Sequence, residues 1–358
     1  MNSIPQKIKI KDIAEKAGVS AGTVDRVLHD RGNVSDETKR KIQAILNEIN
    51  YRPNHYASAL ASKKVFVFCA VIPNCEPGGY WELVEQGLLR AEQELYDFKV
   101  VVKVYHFDQY SPDSFAEAME AVLQQTPVPD AVLLAPLYKP KTMIYTKKME
   151  EREIPYVFID SRVEEANPLA FYGQDSLQSG YLGAKLLFSQ CSDTDKIAIF
   201  SFFDPGQTLS NQIALRMDGF KSYVSKNNLS CKIVRGTLSA NDQEENVSMM
   251  KKLFKENPDI KGAAIFSSRA YVVAGFLEKY KLNHVTMIGY DLLEKNVKYL
   301  KNNTISYLIA QRPEEQAYKG IKAFSEHFIF KKNVPQINYM PIDILTQENI
   351  KFYLEQSQ

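Results

Sequence analysis

Apolar residues recur every three or four positions along three stretches near the start of the chain, which is the spacing of one buried helix face. These stretches predict helices over residues 10–17, 21–29 and 36–49. Between the first two, Gly18 suits the left-handed conformation that ends a helix, and Ser20 can cap the helix that follows. Two short helices joined by a tight turn are the geometry of a helix-turn-helix, although an ordinary helical hairpin has the same pattern.

The third predicted helix has a cap and a stop of its own. Ser35 is placed to cap it, and Pro53 ends it because proline disfavours helical geometry at the residue before it. A short segment of small residues follows at 54–64. It is too short and too weakly apolar to be a stable helix by itself, so we expect a marginal fourth helix there that serves as a hinge helix or linker.

From Val65 onward the pattern changes to short β-rich runs that alternate with helical stretches. Ten such runs occur between residues 65 and 311, beginning with "VFVFCAVI" and ending with "ISYLIAQ". This alternation predicts parallel sheets with helices on both faces. Ten strands are many for one small sheet, and "LAFYGQDS" lies midway. The fold class is therefore expected to be a small all-α head (1–53) joined to an α/β body (65–350) of two doubly wound parallel-sheet lobes.

Composition excludes several classes of protein and site. No run of about 18 apolar residues suggests a membrane helix, and the N-terminus lacks the apolar core of a secretory signal, so the chain is expected to be cytoplasmic. The four cysteines and five histidines show no metal-ligand spacing along the sequence. Phosphate-binding glycine loops and motifs of hydrolases or metalloproteases are not found either, so neither catalysis nor a cofactor is expected.

The overall charge of +1 hides an asymmetry between the two parts of the chain. Residues 1–64 contain twelve Lys and Arg against seven Asp and Glu, whereas the remainder has an acidic excess. A basic head on a mildly acidic body favours a polyanionic partner for the head, although solvated basic helices are common.

The head closely resembles the DNA-binding domain of the LacI/GalR family of bacterial transcription regulators. It carries the motifs "IAxxAGVSxxTVxRVL", "VSxxT" and "NYRPN" within residues 8–63. The resemblance makes 21–29 the recognition helix in the DNA major groove, where Arg26 would pair with guanine. It places DNA contacts at Ala21, Gly22, Thr23, Asp25, Arg26, His29, Ser35, Thr38, Tyr51, Asn54, Ala57 and Leu60.

Two features of the head qualify what the resemblance implies. Ala21 and Gly22 carry no polar group at positions that often read bases, and Asp25 replaces a common serine. Asp25 would either accept from cytosine or orient Arg26. Leu60 corresponds to the apolar wedge that two subunits insert into the minor groove; the alternative is ordinary packing between domains.

The body is similar to the periplasmic sugar-binding-protein fold that this family uses as its sensor. The resemblance, from residue 65 to about 345, places effector contacts at Tyr80, Trp81, Asp160, Arg216, Arg269, Asp291 and Gln311. Aromatic rings would stack on a sugar and carboxylates would bind its hydroxyls. For Trp81 the alternative is a core position, for Arg216 a surface position and for Arg269 a structural role. Arg162 is a weaker candidate.

Together the patterns and the resemblance predict a DNA-binding regulator controlled by a small polar effector, most plausibly a sugar or sugar acid, bound between the lobes. The resemblance further implies a homodimer on a pseudo-palindromic operator in double-stranded DNA, with repression favoured over activation. An exported sugar-binding protein is the rival class, but it would have no DNA-binding head.

Overall fold

A computed structural model describes residues 10–28, 32–49, 55–202 and 210–356. The chain divides into two compact units, Met1–Ser62 and Lys63–Gln358, and each is described separately. The predicted hinge segment 54–64 falls across this division. Within the described part of the chain, every helix lacks the combination of length and apolar character that crossing a bilayer would need.

The described part of the first unit contains four helices: α1 (Ile10–Ala17), α2 (Ala21–Leu28), α3 (Asp36–Glu48) and α4 (His55–Ala61). Its buried core consists of Ile13, Ala14, Ala17, Val24, Val27, Ile42 and Leu46. Gly18 has φ +66°, and the Thr23 amide donates to Ser20 Oγ at 3.1 Å, so both predicted signals set the turn between α1 and α2. Ser35 caps α3 through the Thr38 amide at 3.3 Å.

The second unit contains twelve strands within the residues that the structure describes. They are β1 (Phe66–Pro73), β2 (Val100–Phe107), β3 (Ala131–Leu134), β4 (Tyr156–Ile159), β5 (Ala170–Gly173), β6 (Lys196–Phe202), β7 (Lys232–Leu238), β8 (Ile260–Ile265), β9 (Thr286–Tyr290), β10 (Tyr307–Ala310), β11 (Ile337–Tyr339) and β12 (Asp343–Leu345).

Helices alternate with these strands, as the sequence pattern predicts. They are α5 (Tyr80–Glu94), α6 (Pro112–Leu123), α7 (Lys139–Glu150), α8 (Ser176–Phe188), α9 (Asn211–Lys226), α10 (Gln243–Glu256), α11 (Ala270–Lys279), α12 (Glu294–Lys301), α13 (Pro313–Phe328) and α14 (Ile350–Gln356). A short 3₁₀ helix, Tyr96–Phe98, precedes β2.

The strands form two six-stranded sheets with the same order of connections. The first is β11-β5-β4-β3-β1-β2 and the second is β12-β10-β9-β8-β6-β7. We call the layers built on them lobe 1 and lobe 2. The chain passes from lobe 1 to lobe 2 after β5, returns after β10, and crosses again after β11. The expected fold class, an all-helical head and a two-lobed α/β body, is confirmed.

The two short strands near the C-terminus, β11 and β12, were not among the ten predicted from the sequence. Each has only three residues, which is too few for an alternating pattern to be recognised. β12 also runs antiparallel to β10, unlike the other paired strands described. The helix α14 packs on lobe 2 beyond residue 350, with Ile350 buried against the core.

Candidate functional site

A cavity of about 180 Å³ lies between lobes 1 and 2, where the carboxyl ends of several strands meet. Ligands of open parallel sheets bind at this edge, because the strand order reverses there and leaves a crevice. The described residues that line it are Tyr80, Trp81, Gln109, Tyr110, Pro112, Leu137, Tyr138, Asp160, Phe202, Ser210, Gln212, Ile213, Ser267, Ser268, Arg269, Asp291 and Gln311.

Two carboxylates occupy equivalent places in the two lobes. Asp160 follows β4 and Asp291 follows β9, and these strands hold the same position in their sheets. Both residues are in the left-handed region, with φ +70° at Asp160 and φ +69° at Asp291. Such backbone conformations are costly for residues other than glycine and tend to occur at functional sites. The fold thus turns one carboxylate from each lobe toward the same cleft.

A chain of hydrogen bonds joins these carboxylates across the lobes. Gln212 Nε2 donates to Asp160 Oδ1 at 2.7 Å and lies 2.9 Å from Gln311 Oε1. Gln311 Nε2 in turn donates to Asp291 Oδ1 at 2.8 Å. On the other side, the Tyr80 hydroxyl donates to Asp160 Oδ1 at 2.9 Å. The amide of Gln212 on α9 therefore connects a carboxylate of lobe 1 with the polar groups of lobe 2.

Burial controls the charge state of both carboxylates. Desolvation raises the pKa of Asp291 to about 7 and also raises the pKa of Asp160, while the positive charge of Arg216 lowers both. Burial and the nearby Asp160 charge raise the pKa of Tyr80 well above its usual value. The cleft therefore contains a carboxyl group that can both donate and accept hydrogen bonds near neutral pH.

Arg216 is completely buried and does not line the cavity, unlike the other predicted effector contacts. Its guanidinium lies 3.9 Å above the ring of Tyr290, and Nη1 donates to the Phe266 carbonyl at 2.7 Å. Nε and Nη2 have no hydrogen-bond partner among the described residues. The arginine acts on the cleft through its charge, which favours ionisation of Asp160 and Asp291.

Close helix packing fixes the position of Arg216. A Cβ atom at Gly180 of α8 would lie 1.9 Å from the Arg216 carbonyl oxygen, and one at Gly219 of α9 would lie 1.9 Å from the Leu177 carbonyl oxygen. Side chains at these two positions would push α8 and α9 apart. Glycine at both positions is therefore required for the arginine to reach the buried face of lobe 2.

Aromatic side chains form the apolar part of the cavity wall. Trp81 Nε1 donates to Gln109 Oε1 at 3.1 Å, and the Trp81 ring meets Tyr80 edge-on with centroids 5.0 Å apart. Arg269 donates to the Ala240 carbonyl at 3.0 Å and lies 5.6 Å from the ring centre of Tyr110. A cyclic polyol has apolar ring faces and polar hydroxyl groups. The flat aromatic rings match the first, and the buried carboxyl and amide groups match the second.

The structure brings most of the predicted effector residues together and adds others. Tyr80, Trp81, Asp160, Arg269, Asp291 and Gln311 all line the cavity. Arg162 does not, and pairs with Glu164 at 2.8 Å. Gln212, Gln109 and the rings of Tyr110, Tyr138 and Phe202 also line the cavity, and they were not predicted from the sequence. Gln212 was detectable in principle, because it lies one helical turn before Arg216.

The helical unit presents part of α2 to solvent. Gly22 and Arg26 are exposed, Ala21, Thr23 and Asp25 are partly exposed, and the opposite side of α2 is buried in the core. The hydroxyls of Ser35 and Thr38 lie 2.8 Å apart at the start of α3. Within the described head, α2 thus has one face for packing and another available to a partner.

Several predicted DNA contacts lie outside the described residues or in the hinge segment. His29, Tyr51 and Asn54 lie outside the described residues, and the side chain of Ala57 is not described either. Leu60 lies on α4 with 51% of its surface exposed. Its outward position leaves the side chain accessible to another molecule.

Two family models match the chain in adjacent regions. The model described as "Bacterial regulatory proteins, lacI family" matches residues 9–54, and the "Periplasmic binding protein domain" matches residues 69–332. The first region corresponds to the helix-turn-helix and the second to the lobes that form the cleft. The match to the body extends over more than half of the chain.

Known relatives have the same organisation. A solved structure assigned to the LacI transcriptional regulators, from Bacteroides fragilis, is 38% identical with a TM-score of 0.77 and covers 81% of this chain and 100% of its own. The sucrose operon repressor of Lactococcus lactis is 26% identical over 83% of this chain and 87% of its own length.

The match to the transcriptional regulator DegA of Bacillus subtilis, at 28% identity, covers 51% of this chain and 52% of that protein, so the chain matches about half the length of this relative. The named relatives are regulators of transcription. With its helix-turn-helix head and its periplasmic-binding-protein body, the chain belongs to the LacI family of bacterial regulatory proteins and is a DNA-binding transcription regulator.

Proposed function

We propose that this regulator is a repressor whose effector is a sugar or sugar derivative bound in the cleft between the lobes. The observation that carries the proposal is the buried hydrogen-bonded chain from Asp160 through Gln212 and Gln311 to Asp291, beside the ring of Trp81. Carboxyl and amide groups bind hydroxyls in pairs, and an aromatic ring covers the apolar face of a sugar.

The size of the cleft and one relative add to this argument. The cavity of about 180 Å³ adjoins a second one of about 350 Å³, since Tyr80, Trp81 and Arg269 line both, so the cleft has room for a ligand of one or two rings. The Lactococcus lactis relative is named a sucrose operon repressor, which supports both the carbohydrate class and the repressing action. Arg216 would act as a positioning residue, since its charge sets the ionisation of the two carboxylates.

The effector site should respond to single substitutions in the cleft. Asp291→Asn should weaken binding by about 10- to 100-fold, because a hydrogen bond to a charged group contributes about 1.5–3 kcal/mol. Trp81→Leu should weaken it by about 3- to 10-fold, because the loss of an aromatic contact costs about 0.5–1.5 kcal/mol. Thermal-shift screening against monosaccharides, disaccharides and sugar acids identifies the ligand, and calorimetry then measures its affinity for each variant.

Glu164→Gln is the matched control for these substitutions, because this side chain is 77% exposed and pairs with Arg162. It should bind the ligand like the wild type. A sugar that stabilised the wild type, Asp291→Asn and Trp81→Leu equally would show that the effector binds elsewhere.

We propose further that two copies of the chain bind one pseudo-palindromic operator in the cytoplasm, where the DNA is. The exposed side of α2 would enter the major groove of each half-site, with Arg26 donating to a guanine. Ser35 and Thr38 at the start of α3 would contact phosphates, which orient the head without reading sequence. Symmetric half-sites follow from a symmetric dimer.

Arg26→Ala should weaken operator binding by about 1–3 kcal/mol per half-site and relax the preference at one base pair. Binding selection from a genomic library, followed by titrations of wild type and variant on the selected site, measures both effects. The wild type should bind as two chains per site, and its affinity should fall steeply with salt because phosphates are neutralised.

Arg40→Ala is the control for the loss of one positive charge, since Arg40 is exposed on α3 and donates to the Asp36 carbonyl. It should leave the base preference unchanged. An Arg26→Ala variant with the wild-type base preference would contradict the assignment of α2 as the reading helix.

A further inference from the structure

A cluster of three potential metal ligands lies in lobe 1, among residues that do not line the effector cavity. Cys75 follows β1, Glu85 is on α5 and His106 is in β2. One ligand atom from each residue lies within 4.8 Å of the other two. The residues are ten and twenty-one positions apart in the sequence, so the cluster arises only when the strands pair and α5 packs on them.

The distances within this cluster resemble those around a tetrahedral metal ion. Cys75 Sγ lies 3.6 Å from His106 Nε2, and Glu85 Oε1 lies 3.1 Å from the same nitrogen. Zinc bonds of about 2.3 Å to sulfur and about 2.0–2.2 Å to nitrogen or oxygen would separate such ligands by about 3.6 Å and about 3.4 Å, respectively. The third separation, between Cys75 Sγ and a Glu85 carboxylate oxygen, is within 4.8 Å, so movements of about 1 Å would complete the geometry.

The chemistry of the three ligands selects the kind of ion. A thiolate and an imidazole favour zinc and similar transition-metal ions over magnesium and calcium, which prefer oxygen ligands alone. The side chains of His106 and Glu85 are 36% and 31% exposed, so an ion can enter from solvent and keep a water molecule as its fourth ligand.

We propose that Cys75, Glu85 and His106 form a binding site for a divalent transition-metal ion of the zinc type. When the ion binds, the Cys75 thiol releases its proton to solvent. The ion then lies between the resulting thiolate and the Glu85 carboxylate.

The position of the site gives it a local spectroscopic reporter. Trp81 is the single tryptophan of the chain and lies one helical turn before Glu85 on α5. A paramagnetic ion held by Glu85 would quench the fluorescence of this ring. Cobalt(II) has the same ligand preferences as zinc and also produces a charge-transfer band when a thiolate binds it.

The test uses the full chain in a reductant that does not bind metals. Zinc titrated against a competing chelator should bind once per chain, and cobalt should produce the thiolate band and quench Trp81 at the same stoichiometry. Cys75→Ser and His106→Gln should each lower zinc affinity at least about 100-fold, and Glu85→Gln should lower it about 10-fold or more.

Cys231→Ser is the matched control, because Cys231 is a partly exposed thiol in the second lobe and is not part of the cluster. It should bind zinc and cobalt like the wild type. Its midpoint of thermal unfolding should equal that of the other variants. Unchanged zinc affinity in both Cys75→Ser and His106→Gln, or no saturable binding by the wild type, would overturn the proposal.

Discussion

Replacing Arg216 with methionine should lower the free energy of unfolding by about 3–5 kcal/mol at pH 8, because two buried carboxylates lose the cation that offsets their charge. Asp160 and Asp291 are both buried, and the charge of Arg216 lowers the pKa of each. The guanidinium also stacks on Tyr290, so the variant loses packing as well as charge. Denaturant unfolding of the two proteins measures the difference.

The loss should be smaller at pH 5, and this dependence separates charge from packing. Burial raises the pKa of Asp291 to about 7, so the folded chain binds this proton more tightly than the unfolded chain does. The contribution of Asp291 to stability is therefore full at low pH and is lost as the pH rises through about 7. Without Arg216 the pKa rises further, and the variant loses stability more steeply toward alkaline pH.

Arg162→Met is the control, because the side chain of Arg162 pairs with the exposed Glu164. An ion pair of this kind contributes about 0–1 kcal/mol, and its removal should cost little at either pH. If Arg216→Met lost the same stability at pH 5 and pH 8, the arginine would serve packing alone and would not set the charge of the cleft.

The helices of the head and the strand-end residues of the cleft could be predicted from the sequence. The helix boundaries depend on local signals such as Gly18 and Ser35, which act within a few residues and are visible as sequence patterns. Asp160 and Asp291 follow buried strands directly. Each lies at the carboxyl edge of its own sheet, and the resemblance to two-lobed sugar-binding proteins implied that these two edges face one cleft.

Contacts made by distant parts of the chain could not be predicted in the same way. Gln212 reaches Asp160 only because the chain crosses between the lobes and brings α9 against the end of β4. Arg216 was expected to contact the effector; its side chain is completely buried and does not line the cavity, but its Nε and Nη2 have no hydrogen-bond partner among the described residues, so this contact stays a prediction. The Cys75, Glu85 and His106 cluster likewise depends on three separate elements, which is why spacing along the chain did not indicate it.

Operator DNA should protect the backbone amides of α4 from hydrogen exchange by at least about 100-fold relative to the free protein. The helix spans only His55–Ala61, which is too short to be stable alone. Ordering each of its residues costs about 1–2 kcal/mol of backbone entropy, so packing against a partner copy and contact with DNA must stabilise it together. Exchange measured by mass spectrometry with and without operator tests this expectation.

Leu60→Ala should remove this protection and weaken operator binding by about 10- to 100-fold, because the apolar wedge predicted at this position has to offset an unstacking cost of a few kcal/mol. Leu60 is 51% exposed, and Leu177→Ala is a control of matched size with 48% exposure in the second unit. Addition of effector should also change the hydrogen exchange of the α4 amides. Coupling between an effector site and a DNA site typically amounts to about 1–3 kcal/mol, which is enough to alter this exchange. If the α4 amides were equally protected with and without operator and effector, the helix would be preformed and the head would have to respond to the effector as a rigid body.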